Sequence, residues 1–153
     1  MSPPSNTKLI TTFFQSSILA LILAIVVHYV SVLYPVSSSR LQPNCGLKPQ
    51  EFATFTDFYP FYLCEHVLPT TKLFHFVATF NVSVFLLMLI NAKAASTKVR
   101  IFMFALVQAY GLAWISHFFV EHNKPATFKF PIYSFIGDWM MFKDALLGRV
   151  SLF

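Results

Sequence analysis

The sequence predicts an all-α integral membrane protein with about three transmembrane helices, one N-terminal and then an antiparallel pair, plus short interfacial helices. Two observations carry that expectation. Only 11% of the 153 residues are charged and 56% are hydrophobic, with a mean hydropathy of +0.63, so a water-solvated globule of this size would lack the polar residues to cover its surface. The apolar residues also fall into three runs without a formal charge, each long enough to cross a bilayer as a helix of about 20 residues. The same composition excludes disorder, which needs low hydrophobicity, and two cysteines exclude a disulfide-dense secreted scaffold.

The first run lies between Lys8 and Arg40, with SSILALILAIVVHYVSVLY at its centre. It exceeds the apolar stretch of a signal peptide and is expected to be an uncleaved anchor. The second and third, Leu73–Ala92 and Ile101–Val120, are joined by a short stretch carrying Lys93, Lys98 and Arg100 and no acid. They should form an antiparallel hairpin with a basic turn at one membrane face. The connection from Pro35 to Thr71 holds five prolines and reads as loop, with a short aromatic helix over Phe52–Leu63. Beyond Val120, Pro125 and Pro131 interrupt the chain, and the aromatic segment Tyr133–Leu147 is expected to lie along the interface. This divides the chain into an anchor over residues 1–40 and a membrane domain over 41–153. The pattern NVS at Asn81 matches a glycosylation acceptor but lies within the second span, out of reach of the modifying enzyme.

The net charge of +5 is scattered, with no basic cluster of nucleic-acid type; membrane lipids are the expected contact and nucleic acid is not a partner. Cys45 and Cys64 have no metal-ligand spacing and read as structural.

Ionisable residues at membrane depth are costly and therefore candidates for function. His28 stands alone in the first span and reads as a neutral residue bonded to a neighbouring helix. His75 and His117 lie equally far from the basic turn, about 25 Å at 1.5 Å per residue, and are therefore level in a hairpin. Pro69 fits the first turn of the second helix, which lets His66 fold back towards His75. Tyr110, Trp114, His117 and Glu121 share one face of the third helix. Neutral imidazole suits Fe, Zn, Cu or Ni, and Glu65 and Glu121 are the carboxylates available to orient the rings. Two other classes fit the same residues: a bis-His haem electron carrier, and a non-catalytic lipid-binding or adaptor protein whose histidines tie helices together.

FYPFYLCEHVLPTTKLFHFVAT (Phe58–Thr79), followed by YGLAWISHFFVEHNKPATFKFPIYSFIGDWMMFKD (Tyr110–Asp144), resembles the Mpo1-like family, which takes its name from a fungal 2-hydroxy fatty acid dioxygenase. The resemblance covers Phe58–Arg149 and is carried most specifically by the nine-residue step from His66 to His75 and by Tyr110, Gly111, Trp114, His117, Glu121, Pro125 and Ala126. It implies an endoplasmic reticulum membrane enzyme that uses Fe(II) and O2 to convert a 2-hydroxy fatty acid to the acid one carbon shorter, linked to sphingoid-base catabolism. It further implies His66, His75 and His117 as iron ligands and Glu121 as a fourth ligand or a residue supporting them. His122 is either a spare ligand or a surface residue, and Lys72 and Lys124 are candidates to hold the substrate carboxylate. Thr71, Lys72, Ala78, Ser116 and His122 depart from residues that many relatives carry.

Overall fold

The structure, a computed structural model, describes residues 5–33, 45 and 52–153. Pro35, Pro43 and Pro49, on which the loop reading partly rests, lie outside the described residues. Among the described residues five α-helices follow one another: α1 (Asn6–Leu33), α2 (Phe55–Cys64), α3 (Pro69–Asn91), α4 (Ala95–Ser116) and α5 (Pro131–Leu146). The last turn of the third span is a π-helix, His117–Glu121, and a 3₁₀ turn covers Ala126–Phe128. There is no strand among the described residues. Helices α1, α3 and α4 with its π-turn are long and apolar enough to cross a membrane. Their outward faces carry large exposed side chains such as Ile22, Leu87, Ile90 and Val107, which suit a lipid solvent and not water.

Pro69 opens α3, where its missing N–H has no intrahelical partner to lose, and Ala92 and Ala94 are extended, so a three-residue turn sends α4 back along α3. The hairpin is the expected one. Helix α1 runs antiparallel to α3: Asn6 accepts from the Arg100 guanidinium at 2.6 Å near the basic turn, and Ala24 packs with Phe76 and Ala145 at the other end. Lys8, Lys93, Lys98 and Arg100 therefore gather at one face. Ser16, Ala20 and Ala24 recur every four residues on the buried face of α1, and such small side chains let helix backbones approach closely in a membrane. Midway, Asn81 is fully buried and donates to Ser17 Oγ at 2.9 Å. The glycosylation pattern at Asn81 is thus enclosed between helices.

At the opposite face α2 and α5 form an aromatic layer. Thr54 caps α2, accepting from the Asp57 N–H and donating to the Asp57 carboxylate. Phe58, Phe61 and Tyr62 pack against Met141 and Val150, and Tyr59 donates to Asp144 at 2.8 Å. Pro131 opens α5 instead of ending a helix, so Tyr133–Leu146 is one continuous element. Cys45 and Cys64 form a disulfide with a Cα–Cα distance of 5.3 Å, which ties the chain before α2 to its last turn.

Candidate metal centre

His66 follows the C-cap of α2, His75 stands in the second turn of α3, and His117 begins the π-turn that ends the third span. All three are buried, and their rings meet with centroids 4.4 Å, 4.6 Å and 5.1 Å apart. The level placement of His75 and His117 and the fold-back of His66 over Pro69 are therefore both present. One nitrogen from each ring comes within 4.8 Å of the other two, a set that can hold a metal ion.

The Nδ1 atoms all point away from that centre. His66 Nδ1 lies 2.6 Å from the Tyr62 carbonyl, His75 Nδ1 lies 2.6 Å from Asp138 Oδ1, and His117 Nδ1 lies 2.7 Å from Asn123 Oδ1. A carbonyl or carboxylate can only accept, so each Nδ1 carries the proton and each Nε2 presents a lone pair. His66 Nε2 and His75 Nε2 then face each other 3.2 Å apart. Two lone pairs at that distance repel, whereas a metal with bonds of about 2.0–2.1 Å sets neighbouring nitrogens about 3.0–3.4 Å apart. The donor chemistry fits a cation between them.

Burial, and then the neighbouring His75 and His117, push the His66 pKa well below that of an ordinary imidazole. His66 is therefore neutral and ligand-competent at neutral pH. Burial followed by the Asp138 charge pushes the Tyr62 phenol up, so Tyr62 remains a donor, and its hydroxyl meets Asp138 Oδ1 at 2.6 Å. The Tyr62 ring also lies against His66 with centroids 4.2 Å apart. Gly137 makes room for it: a Cβ there would meet the Tyr62 ring at 2.9 Å. Asp138 thus receives one bond from the phenol and one from the His75 imidazole, the arrangement that fixes tautomer and orientation of histidine ligands in metal sites.

Glu65 and Glu121 are not the carboxylates that meet the imidazoles. Glu121 Oε1 accepts from the Val67 N–H at 2.7 Å, and Oε2 accepts from the Leu68 N–H at 3.2 Å and the Thr71 hydroxyl at 2.6 Å. It is a carboxylate cap on the start of α3, held where the helix end is electropositive. The π-turn places it there, since the wider turn shifts Glu121 from the face a regular α-helix would give it. Glu65 accepts from Asn123 Nδ2 at 3.2 Å and so supports the residue that holds His117. Burial first, then the Glu121 charge, raises its pKa.

His122 is exposed, takes a left-handed backbone conformation at φ 57°, and lies outside the three-histidine set. Lys72 is half-buried in the first turn of α3, and Lys124 is exposed beyond the π-turn. Of the polar stripe on the third span, only His117 joins the metal set; Tyr110 lines an apolar cavity beside His75, and Trp114 packs on Phe128 with centroids 5.6 Å apart. His28 contacts Phe153 at the end of α1, away from the cluster.

Three residues of the site escape the sequence reading: Tyr62, Asn123 and Asp138. Asp138 had a signal, as an acid within the aromatic run IYSFIGDWMMF, but the segment that holds it reads from the sequence as interfacial. A family model described as 2-hydroxy-palmitic acid dioxygenase Mpo1-like matches residues 52–150. No curated protein and no solved structure matches the chain.

Proposed function

From the premise that the chain belongs to the Mpo1-like family, we propose that it is an Fe(II)- and O2-dependent dioxygenase of fatty acid α-oxidation. The observation that carries the reading is the convergence of three protonated-Nδ1 imidazoles on one buried point. Its substrate would be a 2-hydroxy fatty acid, drawn from lipid and sphingoid-base catabolism in the endoplasmic reticulum membrane. The reaction balances as R–CH(OH)–COOH plus O2 giving R–COOH, CO2 and water: the C1–C2 bond breaks, and O2 takes up the four electrons released. Bound Fe(II), held by His66, His75 and His117, would supply open coordination positions and the redox chemistry that O2 requires.

The protein's own part is placement. Tyr62, Asp138 and Asn123 fix the three rings, and Glu121 fixes the start of α3 relative to the end of the third span. Lys72 would hold the substrate carboxylate at headgroup level, with Lys124 outside it. His75 and Asp138 stand at one end of an apolar cavity among α3, α4 and α5, which lets a hydroxy acid present its polar end while its chain stays in hydrocarbon surroundings. Three rings in mutual contact leave space for a single ion and not for a porphyrin plane, which weighs against the haem carrier.

The test is to load purified protein anaerobically with Fe(II), add 2-hydroxypalmitate, admit air and identify the acids by mass spectrometry. The acid one carbon shorter, dependent on both iron and O2, is expected. A folded, iron-loaded sample that forms no shorter acid from any 2-hydroxy acid would refute the proposal and favour a lipid-binding or adaptor role.

A further inference from the structure

The apolar cavity has a top, three walls and a floor. Its top is His75 and Asp138. One wall is α3 from His75 to Leu86, a second is α4 from Ala113 to Phe102, and Pro131, Phe135 and Trp139 of α5 form the third. Ala105, Ala109 and Ala113 recur every four residues along α4 and line the cavity with nothing larger than a methyl group. Towards the floor the cluster of Leu9, Phe85, Ile101 and Ala105, with Phe104 against it, packs these helices together. The cavity is partly open to the surface and has a volume of about 180 Å³. Phe102 ends it and also lines a separate open depression of about 380 Å³ with Leu89, Ile90, Lys98 and Val99. A single side chain is thus shared between the inner cavity and the basic end of the hairpin.

We propose that this cavity holds the alkyl tail of the substrate and that Leu86 and Phe102, at its floor, set the chain length. The inference rests on the hydroxy-acid reading above and deepens it. The α3 and α4 walls each run eleven residues, about 16 Å at 1.5 Å per residue, which an extended chain fills with about a dozen methylenes at ~1.3 Å each. With the carbons at the metal centre added, the preferred acid has about 14–16 carbons. A polar occupant does not fit, because apart from His75, Asp138, Tyr110, Thr79 and Thr127 the lining is apolar. Lys98 beyond the floor has no counterpart on an alkyl terminus, so the chain end stops at Phe102.

Two variants move the floor in opposite directions. Ala109→Phe fills the trough seven residues above Phe102, about 10 Å, and removes space for about eight methylenes. Phe102→Ala opens the cavity into the adjoining depression; because Phe102 is 50% exposed to lipid, its truncation leaves the buried core intact. Parent protein and both variants, in detergent, metal-loaded and without O2, are given an equimolar mixture of C8 to C24 fatty acids with and without the 2-hydroxyl. Native mass spectrometry reads the bound acids. The expected parent profile peaks at 14–16 carbons; Ala109→Phe loses at least tenfold in bound C16 and shifts to C8, the shortest acid in the mixture, and Phe102→Ala gains C20 and longer. An identical profile in all three, or no bound acid in the parent, overturns the proposal. If plain acids follow the same profile with no preference for the 2-hydroxyl, the length-setting floor stands and the hydroxy-acid reading of the site falls.

Discussion

Replacing Asp138 with Ala tests the metal centre without touching a ligand. The carboxylate accepts at 2.6 Å from both His75 Nδ1 and the Tyr62 hydroxyl. Its loss frees the His75 ring to rotate or to change tautomer, and leaves a phenol that is 1% exposed without its partner. Removing such a support typically lowers metal affinity about 10- to 100-fold, or about 1.4–2.7 kcal/mol. Tyr62→Phe removes only one of the two bonds and keeps the ring against His66, so its effect should be near a single hydrogen bond, about 1 kcal/mol and a several-fold loss. The Tyr59–Asp144 bond joins α2 to α5 in both variants as in the parent. Competition of the protein against a chelator for Co(II), followed by its visible absorption, reads affinity directly and needs no turnover. The expected order of affinity is parent, Tyr62→Phe, Asp138→Ala. An Asp138→Ala protein with the parent's affinity and spectrum would refute the claim that this carboxylate orients His75.

Glu121→Gln should bind metal at the parent's stoichiometry while its melting temperature falls, because a charged cap on Val67, Leu68 and Thr71 contributes about 1.5–3 kcal/mol; parallel metal analysis and thermal unfolding decide this. Asn81→Ala should loosen α1 by about 0.6–1.7 kcal/mol, the range for a hydrogen bond between membrane helices, and so speed cleavage of α1 by protease in detergent. The metal-free protein should lose stability as pH falls below about 6.5, since the unfolded chain then protonates His66 and the folded chain, with its depressed pKa, does not. The slope is at most about 1.4 kcal/mol per pH unit. Glu65, with its raised pKa, acts in the opposite sense as pH rises above about 4.5, but it is half-buried and the fully buried His66 dominates. Denaturation midpoints at pH 5 and pH 7.5 measure the net sign.

What the sequence shows of this molecule divides according to whether the information is periodic. The three spans follow from charge-free length, and the level of His75 with His117 follows from counting along two helices that share a turn. Even the fold-back of His66 is local, because Pro69 fixes where α3 begins. The groups that orient the rings are another matter. Asp138 is 63 residues from His75, on a helix whose packing against α2 and α3 depends on Tyr62 fitting under Gly137. No spacing rule connects residues on three elements, so the nearer acids Glu65 and Glu121 are the natural but mistaken choice. Glu121 is displaced by a single π-turn, which ordinary helical counting does not foresee.

That division bears on how the centre is built. The membrane helices supply two of the candidate ligands at a depth set by length alone, while the third, His66, follows α2, and the support for His66 and His75 comes from α2 and α5, outside the spans. The Cys45–Cys64 bridge closes a loop of 19 residues on the last turn of α2, immediately before Glu65 and His66. A cross-link of that size is worth about 3 kcal/mol when it constrains the unfolded chain. Here the constraint falls on the element that leads into His66, the candidate ligand outside the transmembrane helices. The aromatic packing of Phe58, Phe61 and Tyr62 against α5 acts on the same segment. Both features hold the interfacial layer to the hairpin, and a metal ion bound between His66 and the two membrane histidines would couple the layers a third time.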